Sequence, residues 1–312
     1  MNDSHCHFFS QRFFAGLGRG LQPSAQEASD VVALDRLGWD APGPADQLAD
    51  RWLAELDKHE IARAALIASV PGDGESVALA VGRHPTRFVG FFMVDPTAPE
   101  AAGQAGSALD RGGLQTICLF PALHGYSLQD PAVRVMLQIA AARPGTAVFV
   151  HCGVLSIGAR VKLGLPNSFD VRLGQPLDLQ PLAREFSTVP IILPHFGAGL
   201  LREALMLADV CGNVILDTSS SNGWMRYHPG LTLPAVFKQA LAVVGPERLM
   251  FGSDSSFFPR GWVKDVFEQQ SAALGEIGVS DVARAQIFSG TFDRLFPARS
   301  RDADRRGLRA SG

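Results

Sequence analysis

The chain begins MNDSHCHFF, with Asp3, His5 and His7 at alternate positions. In an extended strand, residues two apart point to the same side. His5 and His7 can therefore offer two imidazoles to one face while Cys6 faces the other. Further along, His151, His195, Asp217 and Asp254 each stand where an apolar, β-rich run gives way to a glycine, serine or threonine turn. Neutral imidazole nitrogens and carboxylate oxygens are donors that suit zinc, and also iron or manganese. A single histidine in a buried strand is more often a hydrogen-bonded core residue than a ligand. The pairing of His5 with His7 is what favours a metal site.

Scattered positions become neighbours only if the fold gathers them, and the pattern of elements supplies a way. Strand-like runs cover 62–70, 87–95, 114–120, 146–152, 189–195, 213–219 and 248–254. Most are continuously apolar, as strands buried on both faces are. Helical patterns lie between them, at 44–60, 130–143, 201–210, 233–244 and 262–274. The 130–143 segment starts with an aspartate cap and a proline in its first turn. Alternating strands and helices imply a parallel sheet with right-handed crossovers. Counting the opening stretch, there are eight units, which predicts an α/β fold closed into a (β/α)8 TIM barrel. An open doubly wound sheet is the alternative, but no Gly-x-Gly-x-x-Gly turn follows an early strand. In a parallel barrel every strand ends on one rim, so the polar residues above would share a mouth.

Loop insertions follow strand 1 (8–43) and strand 5 (153–176), on the face where barrel active sites lie. The barrel is expected to span residues 1–297. Residues 298–312, with five arginines from 299 onward, read as a basic, disordered tail rather than a contact surface. The composition is 46% hydrophobic and 19% charged with net charge -3, which gives no electrostatic reason to expect nucleic acid or an anionic membrane as a partner. No apolar run approaches the ~20 residues of a membrane helix, and the first residues lack the pattern of a secretory signal. Cytoplasm is the default expectation. Cys6, Cys118, Cys152 and Cys211 lie far apart and read as free thiols rather than a disulfide framework.

The motifs resemble the amidohydrolase superfamily, in particular the amidohydrolase-related branch that includes aminocarboxymuconate-semialdehyde decarboxylase and resorcylate decarboxylases. The resemblance rests on DSHCH at the first strand, VHCG at the fifth, ILPHFGAG at the sixth and FGSD at the eighth, with RHPTRFVGFFMVDP between. It covers roughly residues 1–297. By that resemblance His5, His7, His151 and Asp254 bind one divalent metal, zinc before iron or manganese, and His195 meets the bound water or substrate. Such a cation lowers the pKa of bound water from ~15.7 to ~7. Asp254 could coordinate through one oxygen and take a proton with the other. His195 could polarise a carbonyl or protonate a leaving group. Asp217 would either orient His195 or a ligand from behind, or cap a helix. Two departures stand out. Family members usually carry a few apolar residues before Asp-x-His-x-His, so the first strand here is expected to be very short. Many amidohydrolases also bridge two metals with a carboxylated lysine on the fourth strand. Here Cys118 offers either a bridging thiolate or a small buried hydrophobe, and the second is favoured.

Candidate substrate contacts on the rim are His124 after strand 4, Arg160, Lys162 and Arg172 in the strand 5 insertion, Arg226 and His228 after strand 7, and Arg260 after strand 8. Phe8, Phe9, Trp224, Phe257 and Phe258 could form an apolar wall. The reading is a hydrolase in which a metal-bound hydroxide attacks a small carboxylate-bearing ester, lactone, amide or thioester. Non-oxidative decarboxylation of an aromatic or unsaturated acid is the alternative, and a non-catalytic metal- or ligand-binding barrel the second. A homodimer is the one protein partner considered.

Overall fold

The computed structural model describes residues 1–24, 26–219 and 222–298. Nine parallel strands form the sheet: β1 (Asn2–Phe8), β2 (Arg63–Ala68), β3 (Phe88–Val94), β4 (Leu114–Leu119), β5 (Ala147–Val150), β6 (Ile191–Leu193), β7 (Val214–Asp217), β8 (Leu249–Met250) and β9 (Ser255–Ser256). Their order is β8-β7-β6-β5-β4-β3-β2-β1-β9. The last two are parts of a single pass of the chain. β8 pairs with β7 and β9 with β1, so the chain between Met250 and Ser255 closes the ring. Ser4 N–H donates to the Phe251 carbonyl across that seam (2.9 Å). The architecture is thus the expected eight-unit barrel, with its eighth strand broken where Phe251–Asp254 turn toward the mouth.

Side-chain alternation divides each strand between two cores. Ala65 and Ile67, Val89 and Phe91, Ile192, Ile215 and Met250 fill the barrel interior. Leu66, Phe92, Leu119, Val150, Leu193 and Leu216 face the helical shell. Phe292 and Phe296 plug the lower end, with Phe296 5.3 Å from Phe91 between ring centroids. Arg63 binds the same C-terminal helix, donating to Asp293 (2.8 Å) and to the Phe296 carbonyl (2.6 Å).

The predicted helices form at Ala45–Lys58, Pro131–Ala141, Leu201–Val210, Leu233–Val244 and Lys264–Glu276. Asp130 caps the second by accepting from Ala132 N–H at 2.8 Å. Three further helices, Gly74–Arg83, Ala101–Asp110 and the short Gln180–Glu185 before β6, complete the alternation. One expectation fails. The first strand is not short but has seven residues, because it runs on past both histidines to Phe8. The insertion after it is no open loop either, since it folds into helices Gln11–Arg19 and Ser29–Leu37. The basic segment expected to be a disordered tail lies, from residue 299 onward, outside the described residues.

Candidate metal centre

Alternation along the strands sets the floor of the barrel mouth. Phe149 faces inward, so His151 two residues on does as well; Ile215 does the same for Asp217. His5 and His7 extend the inner face of β1, and Cys6 packs in the outer core at zero exposure. His195 breaks the rule, since Leu193 two residues earlier faces the outer core, and the backbone turns beneath both His195 and Asp254. His195, Phe196 and Ala198 have φ of 56°, 52° and 44°, and Asp254 has φ 58°. For residues with a Cβ this left-handed conformation costs on the order of 1 kcal/mol each. It aims both side chains into the mouth.

Three histidines have one nitrogen tied down. His5 Nδ1 lies 3.1 Å from Asp217 Oδ2, and an ionised carboxylate can only accept, so Nδ1 carries the proton. His7 Nδ1 lies 2.7 Å from Ser69 Oγ, whose own hydrogen goes to the Ile67 carbonyl at 3.0 Å. His7 Nδ1 must therefore donate. His195 Nδ1 faces the Ser219 carbonyl at 3.3 Å and Ser219 Oγ at 3.0 Å, so it donates as well. In its neutral form each ring is left with a bare Nε2 lone pair.

Those lone pairs converge. His5 Nε2 and His7 Nε2 are 3.3 Å apart. Asp254 Oδ1 sits 3.1 Å from the first strand's His7 Nε2 and 3.5 Å from His5 Nε2. Ligand atoms of His5, His195 and Asp254 all lie within 4.8 Å of one another. His151 lines the same cavity, its ring centroid 5.3 Å from that of His195, with Nδ1 buried and without a hydrogen-bond partner, but neither it nor His7 belongs to the group within 4.8 Å, which holds His195 instead. Two imidazole lone pairs and a carboxylate oxygen at these separations repel unless a positive charge lies among them. The donor set therefore fits a divalent cation.

The electrostatics agree. Burial would lower the His5 pKa, but Asp217, Asp254 and Asp3 more than offset it and raise it above the ordinary value. Burial drives His151 well below its ordinary value, helped by the neighbouring imidazoles, and burial also lowers His195. Burial would raise Asp254, yet contact with His7 and the charges of His5 and His195 hold it below the usual carboxylate range. Asp217 is likewise held low, chiefly by His5 against the opposing effect of burial.

Close packing holds the pieces in place. Gly252 lies so near the His5–Asp217 pair that a Cβ there would meet Asp217 Oδ1 and His5 Cβ, each at 2.9 Å. A Cβ on Gly153 (φ +73°) would strike the Gly197 carbonyl at 2.3 Å, so glycine alone lets the ends of β5 and β6 meet. Asp3, fully buried, accepts from His5 N–H (2.9 Å), Ser253 N–H (3.1 Å) and Trp262 Nε1–H (2.7 Å). One carboxylate thus fastens β1 to the loop that carries Asp254.

Above the floor lies a cavity of about 480 Å³. Phe9, Phe13, Trp39, Phe120 and Phe258 wall it, and Lys162 and Arg260 stand among its lining residues. The other rim residues turn elsewhere. Arg172 pairs with Asp170 two positions back, and Arg160 donates to the Pro166 carbonyl. Arg226 donates to Tyr227 Oη, and His228 contacts the Gly199 carbonyl. Trp224 is buried against His228, and Phe257 packs on Trp52 and Arg51. His124, its pKa lowered by burial, stacks beside Tyr126, and Phe8 faces the outer core. Cys118 lies in the barrel interior below the floor, its thiol pKa pushed up by burial. Ser69, Ser219 and Trp262 escaped the sequence reading. The first two also end buried strands, in LIASV and ILDTS, and the same signal would have found them.

The profile of the family described as Amidohydrolase matches residues 3–298. No curated protein sequence matches the chain significantly. Among solved structures, a probable 2-pyrone-4,6-dicarboxylic acid hydrolase from Acinetobacter baumannii with citric acid bound superposes with TM-score 0.61 at 15% identity, over 95% of this chain and 98% of that one. A zinc-bound amidohydrolase from Burkholderia multivorans gives 0.60 at 18%, over 96% and 99%. A 5-carboxyvanillate decarboxylase from Novosphingobium aromaticivorans, with bound manganese and 3-methoxy-4-hydroxy-5-nitrobenzoic acid, gives 0.60 at 16%, over 95% of each chain. At these identities the superpositions speak for the barrel, whereas the profile match over nearly the whole length establishes descent: the chain belongs to the amidohydrolase family.

Proposed function

We propose that this amidohydrolase-family enzyme is a metal-dependent hydrolase of small carboxylate-bearing esters, lactones, amides or thioesters. In this reading His5, His7, His151 and Asp254 hold one divalent cation, zinc first among the candidates. The observation that carries it is the facing pair of Nε2 lone pairs, 3.3 Å apart and both forced by bonds at Nδ1. When bound, such a cation acidifies a water and polarises a carbonyl. The chain's own groups do the rest. Asp254 is ionised and takes a proton from the attacking water on its carboxylate. His195 is neutral at rest, with Nδ1 committed to Ser219 and Nε2 free. It takes over at Nε2 the proton that Asp254 accepted, which restores the carboxylate, and passes it to the leaving atom. Asp217 holds the His5 ring in the tautomer that offers Nε2.

Decarboxylation of an aromatic or unsaturated acid is the second reading, favoured by the cavity wall. Phe9 and Phe13 are stacked at 3.9 Å with a 4° interplanar angle, and Trp39 lies nearly parallel to Phe258 at 13°. Such walls suit a flat ring. There His195, once protonated, would deliver its proton to the carbon that loses carbon dioxide. The two readings separate by product. Metal-loaded protein is offered a panel of carboxylate-bearing esters, lactones, amides, thioesters and aromatic acids. Released acid without carbon dioxide supports hydrolysis, and carbon dioxide supports the second reading. Bound metal with neither product across the panel leaves only a binding barrel.

A further inference from the structure

The cavity is electrically divided. Its floor carries the imidazoles and Asp254, the one carboxylate among its described lining residues. Its rim carries Lys162 and Arg260. Lys162 ends the helix Gly158–Lys162 in the insertion after β5, and its ammonium lies 5.2 Å from the Trp39 ring centroid. Trp39, from the insertion after β1, stacks with Phe258 at 6.4 Å, and Arg260 follows two residues later. Lys162, Trp39 and Phe258 form a continuous arc from two insertions and the β8 loop, and Arg260 lines the same cavity two residues beyond Phe258. Many cations of this chain are neutralised locally, as Arg83 is by Asp50, Arg143 by Asp110 and Arg172 by Asp170. Among the described residues neither Lys162 nor Arg260 has a carboxylate within ion-pair distance. A cation resting on an aromatic face beside a cavity is held ready for an anion.

We infer that Lys162 and Arg260 are the specificity residues of this site, and that the substrate carries an anionic group separate from the group that reacts at the floor. A planar, largely apolar body lies between the two, against Trp39 and Phe258. The volume of about 480 Å³ admits a benzene-sized body with two substituents. This deepens the reading above, since it takes the cavity over His5 and Asp254 as the substrate site.

The test compares isophthalate with its monomethyl ester, which has the same ring and one carboxylate fewer. Binding is measured by isothermal titration calorimetry to wild type and to the Lys162→Met, Arg260→Met double variant, each with and without zinc. Wild type should prefer isophthalate by about tenfold, the scale of one charge-assisted contact. The double variant should bind the two within about twofold on the same scale. An undiminished preference in the double variant overturns the inference. So does a wild type with no preference, or one that fails to bind isophthalate at millimolar concentration. Zinc loading distinguishes the two proposals. Protein that takes up no zinc yet keeps the preference sinks the metal reading alone. Zinc-loaded protein without the preference sinks the rim assignment alone.

Discussion

Asp217 Oδ2 stands 3.1 Å from His5 Nδ1, and this contact decides which nitrogen of His5 faces the cavity. The carboxylate is fully buried and also accepts from Ser4 Oγ and Ser219 N–H. Asp217→Ala should leave the barrel folded and weaken metal binding by roughly 10–100-fold, the usual cost of losing such a partner. Competition against a chelator measures this. Unchanged affinity would mean that Asp217 serves only the packing of β7.

Metal uptake should be pH-dependent in a definite sense. The metal-free protein raises the His5 pKa above its ordinary value, chiefly through Asp217 working against burial. Binding must displace that proton, so affinity falls as pH drops through the raised His5 value. The same charged His5 contributes stability to the metal-free protein at low pH, and that contribution is lost as pH rises through the folded-state pKa. Metal affinity measured from pH 8 down to pH 5.5 should decline steadily, with proton release on binding below neutrality. A flat profile would count against His5 as a ligand.

Gly252→Ala adds one methyl where His5 Cβ and Asp217 Oδ1 would each lie 2.9 Å away. Neither neighbour is the free end of a flexible chain, so the pair must shift. We expect a loss of about 1–3 kcal/mol in stability, typical of overpacking, together with weaker metal binding. Thermal denaturation with and without zinc reads both. A variant as stable as wild type and equally loaded would show that the site tolerates more movement than its packing implies.

Trp262→Phe removes one of the three donors to Asp3, the residue that fastens β1 to the Asp254 loop. The lost bond to a buried carboxylate should cost about 1.5–3 kcal/mol. Chemical denaturation gives the value, and a change below the error of the method would show that Asp3 finds another donor.

Cys118→Ala should leave metal stoichiometry at one per chain, because the thiol lies in the barrel interior with its pKa raised by burial. Elemental analysis settles it; loss of a second metal equivalent in the variant would restore the bridging role.

Much of the site was legible because parallel strands end on one rim. Once eight strand–helix units were recognised, His5, His7, His151, His195, Asp217 and Asp254 had to gather, whatever their separation along the chain. The rim was less legible for a related reason. Strand order says which loops share the mouth but not which way a loop side chain turns. Arg172, Arg160 and Arg226 are claimed by partners within six residues of themselves, Asp170, Pro166 and Tyr227. Helical insertions were hidden as well. The segment after β1 is short in strong periodicity, yet Ser10 accepts from Phe13 N–H and starts the helix that brings Phe13 to the cavity. The length of β1 was misjudged because the residues before Asp3 were counted and those after His7 were not.

The central claim is that a single cation joins residues from both ends of the chain. Anomalous diffraction at the zinc edge from a crystal soaked in zinc tests it directly. One peak is predicted, about 2.0–2.2 Å from the Nε2 atoms of His5 and His7 and from a carboxylate oxygen of Asp254. A peak elsewhere, or none at saturating zinc, would contradict it.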